Sequence, residues 1–188
     1  MWSTSRVLVA CALWPVLGSV VVLAQKPVVR MPVFADYGPP PTTWSDLVAN
    51  AKVVVHARVE ESQNASRMDS GRAQGMTAYS IRVLDPIKGD IIPGQILTVL
   101  RYGGTTDRGD HVGLSFDPSF PAFQTGDNYV FFLTWNIVLS AFQVAHGPNG
   151  AFHVNGGAVE PIGSSPLSAS ARGRQLGEFL AATKRMSR

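Results

Sequence analysis

"YSIRVLDPIKGDIIPGQILTVLRYGG" (Tyr79–Gly104) decides the fold class of this chain. Its first residues alternate apolar and polar side chains, beginning with Tyr79 and Ile81, and this period of two is typical of a half-buried β-strand. Proline and glycine in segment 85–94 then end the strand, because proline cannot donate to a β-ladder and glycine permits a turn. Segment 95–102 resumes as a second strand that is fairly apolar on both faces. The stretch therefore predicts two strands joined by a turn-rich corner.

The neighbouring segments continue this pattern of short strands. Residues 52–61 alternate strictly, and residues 129–135 form the most hydrophobic strand, which we expect to be central. Residues 140–154 predict a hairpin around the turn sequence Gly147-Pro148-Asn149-Gly150, and residues 158–162 predict an edge strand. The chain thus belongs to the mainly β class.

Two segments between these strands lack any periodicity. Residues 62–75 are polar and turn-like, and we expect a long, mobile connection there. Residues 103–128 are aperiodic over a greater length, and a loop of this size in a compact domain is usually functional or disordered.

Helices are predicted at both ends of the strand region. Thr43, followed three residues later by Asp46, predicts a capping box and a short helix over Trp44–Asn50. Ser165 before Pro166 predicts the start of a C-terminal helix. That helix carries an apolar stripe on one face. The stripe consists of Leu176, Phe179, Leu180 and Thr183.

The N-terminus predicts export. Arg6 precedes an almost wholly apolar run from Val7 to Ala24, as in a secretory signal peptide, and we expect cleavage between Ala24 and Gln25. An uncleaved membrane anchor and a lipoprotein cysteine at Cys11 are the alternatives. Cys11 is the only cysteine, so the mature chain has no disulfide, thiol nucleophile or cysteine zinc site. We expect a secreted or periplasmic protein of a bacterial envelope.

The order of helix, strands and turns resembles the OB-fold barrel of the netrin-like and tissue-inhibitor-of-metalloproteinase superfamily. The matching pieces are "LVANAKVVVHARV", "YSIRVLDPIKGD", "ILTVLRYGG" and "GDNYVFFL". The resemblance implies a five- to six-stranded antiparallel barrel and a general binding habit. It transfers no functional residue, because the inhibitors chelate the protease zinc through an N-terminal cysteine that is missing here.

These observations give the expected domain organisation. Residues 1–24 form the signal peptide, residues 25–43 a Pro-rich extended lead-in, and residues 44–163 the OB-like barrel. Residues 164–188 form a basic amphipathic helix. The formal net charge of +3 is concentrated in this last helix, whose basic face either contacts anionic lipid or a partner, or is simply solvated.

One acidic cluster in the long loop is a candidate metal site. Asp107, Asp110, His111 and Asp117 offer the oxygen and nitrogen ligands that divalent cations use. A solvated polar loop has the same composition, so both interpretations stay open.

Three phenylalanines of the same loop are candidate binding residues. If Phe116, Phe120 and Phe123 are exposed, they mark a contact patch for a partner. If they are covered by the barrel, they form its lid.

The sequence favours a non-catalytic binding module that recognises an unknown protein or small ligand of the envelope. No catalytic motif, cofactor motif or basic-aromatic stripe for nucleic acid is visible, and membrane contact is expected only through the signal peptide. The alternatives are a small metal-dependent hydrolase built on Asp107–His111 and a protease inhibitor.

Overall fold

The computed structural model describes residues 26–69 and 72–188, with the side chains of 67–69 and 72–73 excepted. The predicted signal peptide and its cleavage site lie outside the described residues and stay a prediction. Among the described residues no helix is both long enough and apolar enough to span a bilayer.

The chain is mainly β, as predicted. Its strands form two sheets within the described residues, one of three strands in the order β1-β6-β5 and one of seven in the order β10-β9-β7-β2-β3-β4-β8, and β8 also pairs with β7. The strands are β1 (Val28–Pro32), β2 (Val53–Asp69), β3 (Arg72–Lys88), β4 (Ile96–Tyr102), β5 (Gly104–Asp107), β6 (Val112–Phe116), β7 (Asn128–Asn136), β8 (Ala141–Val144), β9 (Ala151–Asn155) and β10 (Ala158–Pro161).

The first helix has the predicted bounds. Helix α1 spans Trp44–Asn50, and the Thr43 hydroxyl accepts a hydrogen bond from the Asp46 backbone N–H at 3.0 Å. This bond satisfies one of the free donors of the first turn, which explains why the helix begins there.

The prediction of one C-terminal helix over 164–188 is wrong. The segment forms two helices, α2 (Pro166–Ala169) and α3 (Leu176–Met186). Ser165 caps α2 as expected, but the chain turns at Gly173, which has a φ of +77°. Glycine tolerates this left-handed conformation, and the helix is interrupted as a result. The predicted stripe is confirmed on α3, where Phe179 and Thr183 are buried.

The prediction of an irregular, turn-like connection at 62–75 is also wrong for the residues that the structure describes. Strands β2 and β3 pair antiparallel through this region, from Ser62 opposite Tyr79 to Asp69 opposite Arg72. Most of residues 62–66 are exposed, so no buried face imposes the apolar alternation by which a strand is recognised. Antiparallel pairing with β3 defines this part of the hairpin.

Contrary to the prediction, Asp85-Pro86 does not end strand β3. The strand continues to Lys88, and register shifts occur opposite this segment, between Val54 and Val55 and between His56 and Ala57. A bulge places an extra residue on one strand, so the ladder tolerates a proline that lacks an N–H donor.

The predicted hairpin at 140–154 is not formed. Strands β8 and β9 both pair antiparallel with β7, β8 along its last residues and β9 along its first. A 3₁₀ turn, Gly147–Gly150, separates them. The chain therefore continues along one edge of β7, whereas a hairpin would reverse it.

The aperiodic segment 103–128 is partly regular. It contains β5 and β6, and β6 pairs in parallel with β1 from the Pro-rich lead-in. The lead-in is therefore attached to the fold through the three-stranded sheet.

Two apolar clusters hold the molecule together. The first lies on one face of the larger sheet and contains Val55, Tyr79 and Phe131; the second contains Val54 and Phe152 and is covered by α1 and α3. Successive residues of β2 enter different clusters because strand side chains alternate. All members of both clusters lie between residues 37 and 180, so a chain beginning at Gln25 retains the described core.

Candidate functional site

The structure does not assemble the four candidate metal ligands into one site. Asp107 pairs with Lys26 at 2.7 Å, and Asp110 contacts His111 at 2.6 Å. Asp117 is buried and accepts hydrogen bonds from Tyr37 and a neighbouring serine. Among the described residues no group of three or more His, Cys, Asp or Glu side chains is placed to hold a metal.

The three candidate phenylalanines have different environments. Phe116 is exposed, whereas Phe120 and Phe123 are buried in the first core cluster. The Phe123 ring lies 5.0 Å from the rings of both Tyr79 and Phe131. The expected contact patch is therefore reduced to Phe116, and the other two rings belong to the core.

The most unusual side chain of the core is Arg101. On β4 the inward positions are Leu97, Val99 and Arg101, and only 6% of the Arg101 surface is exposed. A charged group in this position requires compensation, because removal of a guanidinium from water is costly.

That compensation is incomplete among the described residues. One terminal nitrogen of Arg101 (Nη2) donates to the Phe120 carbonyl oxygen, and the guanidinium carbon lies 5.3 Å from the centre of the Phe120 ring. The Arg101 Nε is buried without an acceptor in the described part of the chain. Arg101 thus retains an unused donor inside the fold.

A partly buried pair, Tyr37 and Asp117, lies near Arg101. The Tyr37 hydroxyl donates to the Asp117 carboxylate at 2.7 Å, and Ser119 donates to the same carboxylate through its N–H and its hydroxyl. Burial raises the pKa of Asp117, but these hydrogen bonds and the Arg101 charge outweigh it and leave the pKa below its usual value. Burial, followed by the bond to Asp117, raises the pKa of Tyr37.

Gly147 positions Tyr37 over the 3₁₀ turn. Gly147 has a φ of +58°, and a Cβ atom there would overlap the Tyr37 ring. The ring also packs edge-on against Phe120 at 5.7 Å. The lead-in, β4 and the long loop therefore meet at one cluster, which we name the Arg101 cluster: Tyr37, Arg101, Asp117 and Phe120.

Two openings flank the Arg101 cluster, and Arg101 lines both. The first is a cavity of about 310 Å³, and the second is a cleft of about 660 Å³ between β5, β6 and the long loop. The walls of the cavity include Asp36, Tyr37, Thr134, Asn136, Gln143 and His146. Those of the cleft include Asn64, Tyr79, Asp117, Phe123 and Gln124.

This arrangement is suited to holding a carboxylate. The Asp117 carboxylate accepts hydrogen bonds from Tyr37 and Ser119, whereas the Arg101 Nε has no acceptor among the described residues. The planar guanidinium fork fits a carboxylate through two parallel hydrogen bonds. A carboxylate that reached the Arg101 Nε from one of these openings would supply the missing acceptor.

Sequence reasoning placed Arg101 on a strand but did not select it as a site residue. The sequence did contain a signal: in the alternating pattern of this strand, Arg101 falls on the same face as Leu97 and Val99. A basic residue in phase with buried apolar residues indicates a buried charge. Comparison with known proteins adds nothing to the assignment, since no protein-family model matches the chain and no curated protein is significantly similar.

Proposed function

We propose that this chain is a non-catalytic binding module that holds the carboxylate of a small molecule or of a peptide C-terminus at Arg101. The observation that carries the proposal is the Arg101 side chain, which is almost fully buried, lines two openings and has an Nε without an acceptor among the described residues. A buried donor left unpaired costs about 1–3 kcal/mol, so a ligand that pairs it gains affinity.

We infer that the module is an OB-like barrel of the netrin-like type. The support is a circular order of pairing in which β2 pairs with β3, β3 with β4, β4 with β8, β8 with β7, and β7 with β2. The β4–β8 pairing is parallel and joins Val99 to Phe142. A ring of five paired strands has no free edge between its members.

The proposed location is outside the cytoplasm. It rests on the apolar N-terminal segment with its expected cleavage between Ala24 and Gln25. A module exported in this way, without cysteine in its mature chain, depends on its core and on no disulfide for stability. N-terminal sequencing of the protein from an expressing cell tests the cleavage.

Carboxylate binding is tested on the chain from Gln25 to Arg188 by NMR. N-acetylglycine and its amide form a matched pair of probes, since only the first has a carboxylate. We expect N-acetylglycine at millimolar concentration to shift the Arg101 Nε–H resonance, and we expect the amide not to shift it. Arg101→Lys removes the fork while retaining the charge. Because this variant lacks the Arg101 resonance, the readout for it is the backbone amide resonances of the cavity residues, which N-acetylglycine should shift in the parent and leave unshifted in the variant.

Arg58→Lys is the control, because Arg58 is an exposed arginine on β2. It should leave the response to N-acetylglycine unchanged. If neither probe moves the Arg101 resonance, or if both move it equally, carboxylate recognition is excluded and Arg101 has a purely structural role. A destabilised Arg101→Met variant together with that outcome would support the structural interpretation.

A further inference from the structure

One end of the larger sheet presents an exposed apolar protrusion. Strands β3 and β7 both finish at this end, since Lys88 pairs with Val54 and Leu133 pairs with Val53. Beyond it lies the turn between β7 and β8. We name its exposed apolar side chains the apolar tip: Trp135, Ile137 and Val138, with exposed fractions of 48%, 81% and 69%.

The turn that carries the apolar tip is well formed. The Asn136 side-chain oxygen accepts hydrogen bonds from the backbone N–H groups of Val138 and Leu139 at 3.0 and 3.1 Å. The Trp135 ring packs edge-on against Phe142 at 5.0 Å. Two backbone donors of the turn are therefore satisfied within the hairpin, and the Ile137 and Val138 side chains are exposed to solvent.

An apolar groove lies at the base of the tip. It has a volume of about 350 Å³, and Lys52, Gly89, Ile91, Trp135 and Phe142 line it. Ile92, which follows in the β3–β4 corner, is itself 67% exposed. The apolar surface thus extends from the tip to the corner.

Basic side chains lie at the same end of the sheet. The last turn of α3 reaches the same end of the sheet, because the Ser187 hydroxyl donates to the Ile87 carbonyl at 3.4 Å. That turn carries exposed Lys184 and Arg185, and Lys52 lies at the groove. Asp90 also lines the groove and is an acidic group beside Lys52 there.

We propose that this end of the molecule docks on an anionic lipid bilayer, with the apolar tip inserted at the headgroup level. A projecting turn with tryptophan at its base suits the membrane interface, where an indole ring has both apolar and polar surroundings. Lys52, Lys184 and Arg185 complement the negative surface of such a bilayer. A stable protein interface needs roughly 1,000 Å² of complementary surface, which three protruding side chains do not provide.

Vesicle sedimentation of the chain from Gln25 to Arg188 tests the proposal, which is independent of carboxylate binding at Arg101. The probes are phosphatidylcholine vesicles with and without phosphatidylglycerol. We expect binding to the mixed vesicles, weakened by added salt. Ile137→Ser combined with Val138→Ser should reduce partitioning at least tenfold, and Lys184→Gln combined with Arg185→Gln about fivefold per removed charge.

Matched controls are available away from the apolar tip, in the lead-in and at the other end of the β2–β7 pair. Val28→Ser with Phe34→Ser removes two exposed apolar side chains from the lead-in, and Arg30→Gln with Arg58→Gln removes two exposed charges. Both doubles should bind as the parent does. Equal loss in the tip and control variants, or no binding to mixed vesicles at low salt, overturns the proposal.

Fluorescence separates insertion from simple charge attraction. The chain from Gln25 has two tryptophans, Trp44 and Trp135, so Trp44→Phe leaves Trp135 as the reporter. Insertion predicts a blue shift of Trp135 emission on mixed vesicles. Binding without that shift, retained by the Ile137→Ser and Val138→Ser double variant, contradicts docking through the tip.

Discussion

Replacing Phe123 with alanine should strongly destabilise the protein, although sequence reasoning made Phe123 a candidate surface residue. Only 4% of its surface is exposed, and its ring contacts those of Tyr79, Phe120, Tyr129 and Phe131 at centroid distances of 5.0–5.5 Å. Truncation of a buried phenylalanine costs about 3–5 kcal/mol, and each aromatic pair adds roughly 0.5–1.5 kcal/mol to burial alone. We therefore expect a loss of about 4–5 kcal/mol.

Phe116→Ala in the same loop is the matched control. Phe116 is 39% exposed, so its truncation removes less buried surface and should cost under about 1.5 kcal/mol. Urea denaturation of both variants, followed by circular dichroism, measures the difference. Thermal melting gives a second measure, since about 1 kcal/mol corresponds to roughly 2–4 °C for a chain of this size.

The comparison has a clear refuting result. If Phe123→Ala is no less stable than Phe116→Ala, Phe123 is not part of the core and the loop remains a candidate contact patch. If Phe123→Ala does not fold at all, Phe123→Leu provides a measurable intermediate, because leucine retains part of the apolar contact.

Two further predictions concern the surroundings of the Arg101 cluster. Gly147→Ala should destabilise the protein by more than Gly156→Ala, because both glycines have similar positive φ values but only at Gly147 does a Cβ overlap the Tyr37 ring; thermal melting of the two variants compares them, and equal losses would remove Gly147 as the positioning residue. The lowered pKa of Asp117 predicts stability that is present above the unfolded value of about 3.9 and lost as pH falls through the folded value, so Asp117→Asn should flatten the acid side of a plot of unfolding free energy against pH. An unchanged slope in that variant would show that another carboxylate is responsible.

Local signals predicted the elements that depend on local physics. The capping bond at Thr43 set the start of α1, and the stripe on α3 followed from helical spacing. Both interactions lie within a few residues of the chain, so the sequence displays them directly.

The errors share a different cause. Most of residues 62–66 in the β2–β3 ribbon are exposed, so no apolar alternation in this segment marks the pairing. Strands β8 and β9 show the same alternation whether they pair with each other or with β7, and only the position of β7 distinguishes the two arrangements. Strand pairing is non-local, and periodicity does not encode the partner.

The candidate site was predictable only in fragments. Asp117 was selected from the sequence for its oxygen ligands, but its partner Tyr37 lies 80 residues away in the chain. The position of Arg101 on the apolar face of β4 was predictable from the alternation of the strand. Its burial, however, depends on the long loop, whose Phe120 contacts it. An aperiodic loop gives no rule for which side chains it buries, and this is why Phe116, Phe120 and Phe123 could not be separated.

The β7–β8 hairpin relates the two proposed binding regions. Trp135 and Phe142, which are paired across the hairpin, line the apolar groove, whereas Thr134 and its partner Gln143 line the cavity beside Arg101. Because strand side chains alternate, the two surfaces occupy opposite faces of one ribbon. Substitutions on one face therefore leave the other face intact: Ile137→Ser should preserve carboxylate binding, and Arg101→Lys should preserve vesicle binding. A module docked through the tip would hold its cavity beside the membrane, since Asn136 both lines the cavity and accepts the hydrogen bonds of the turn.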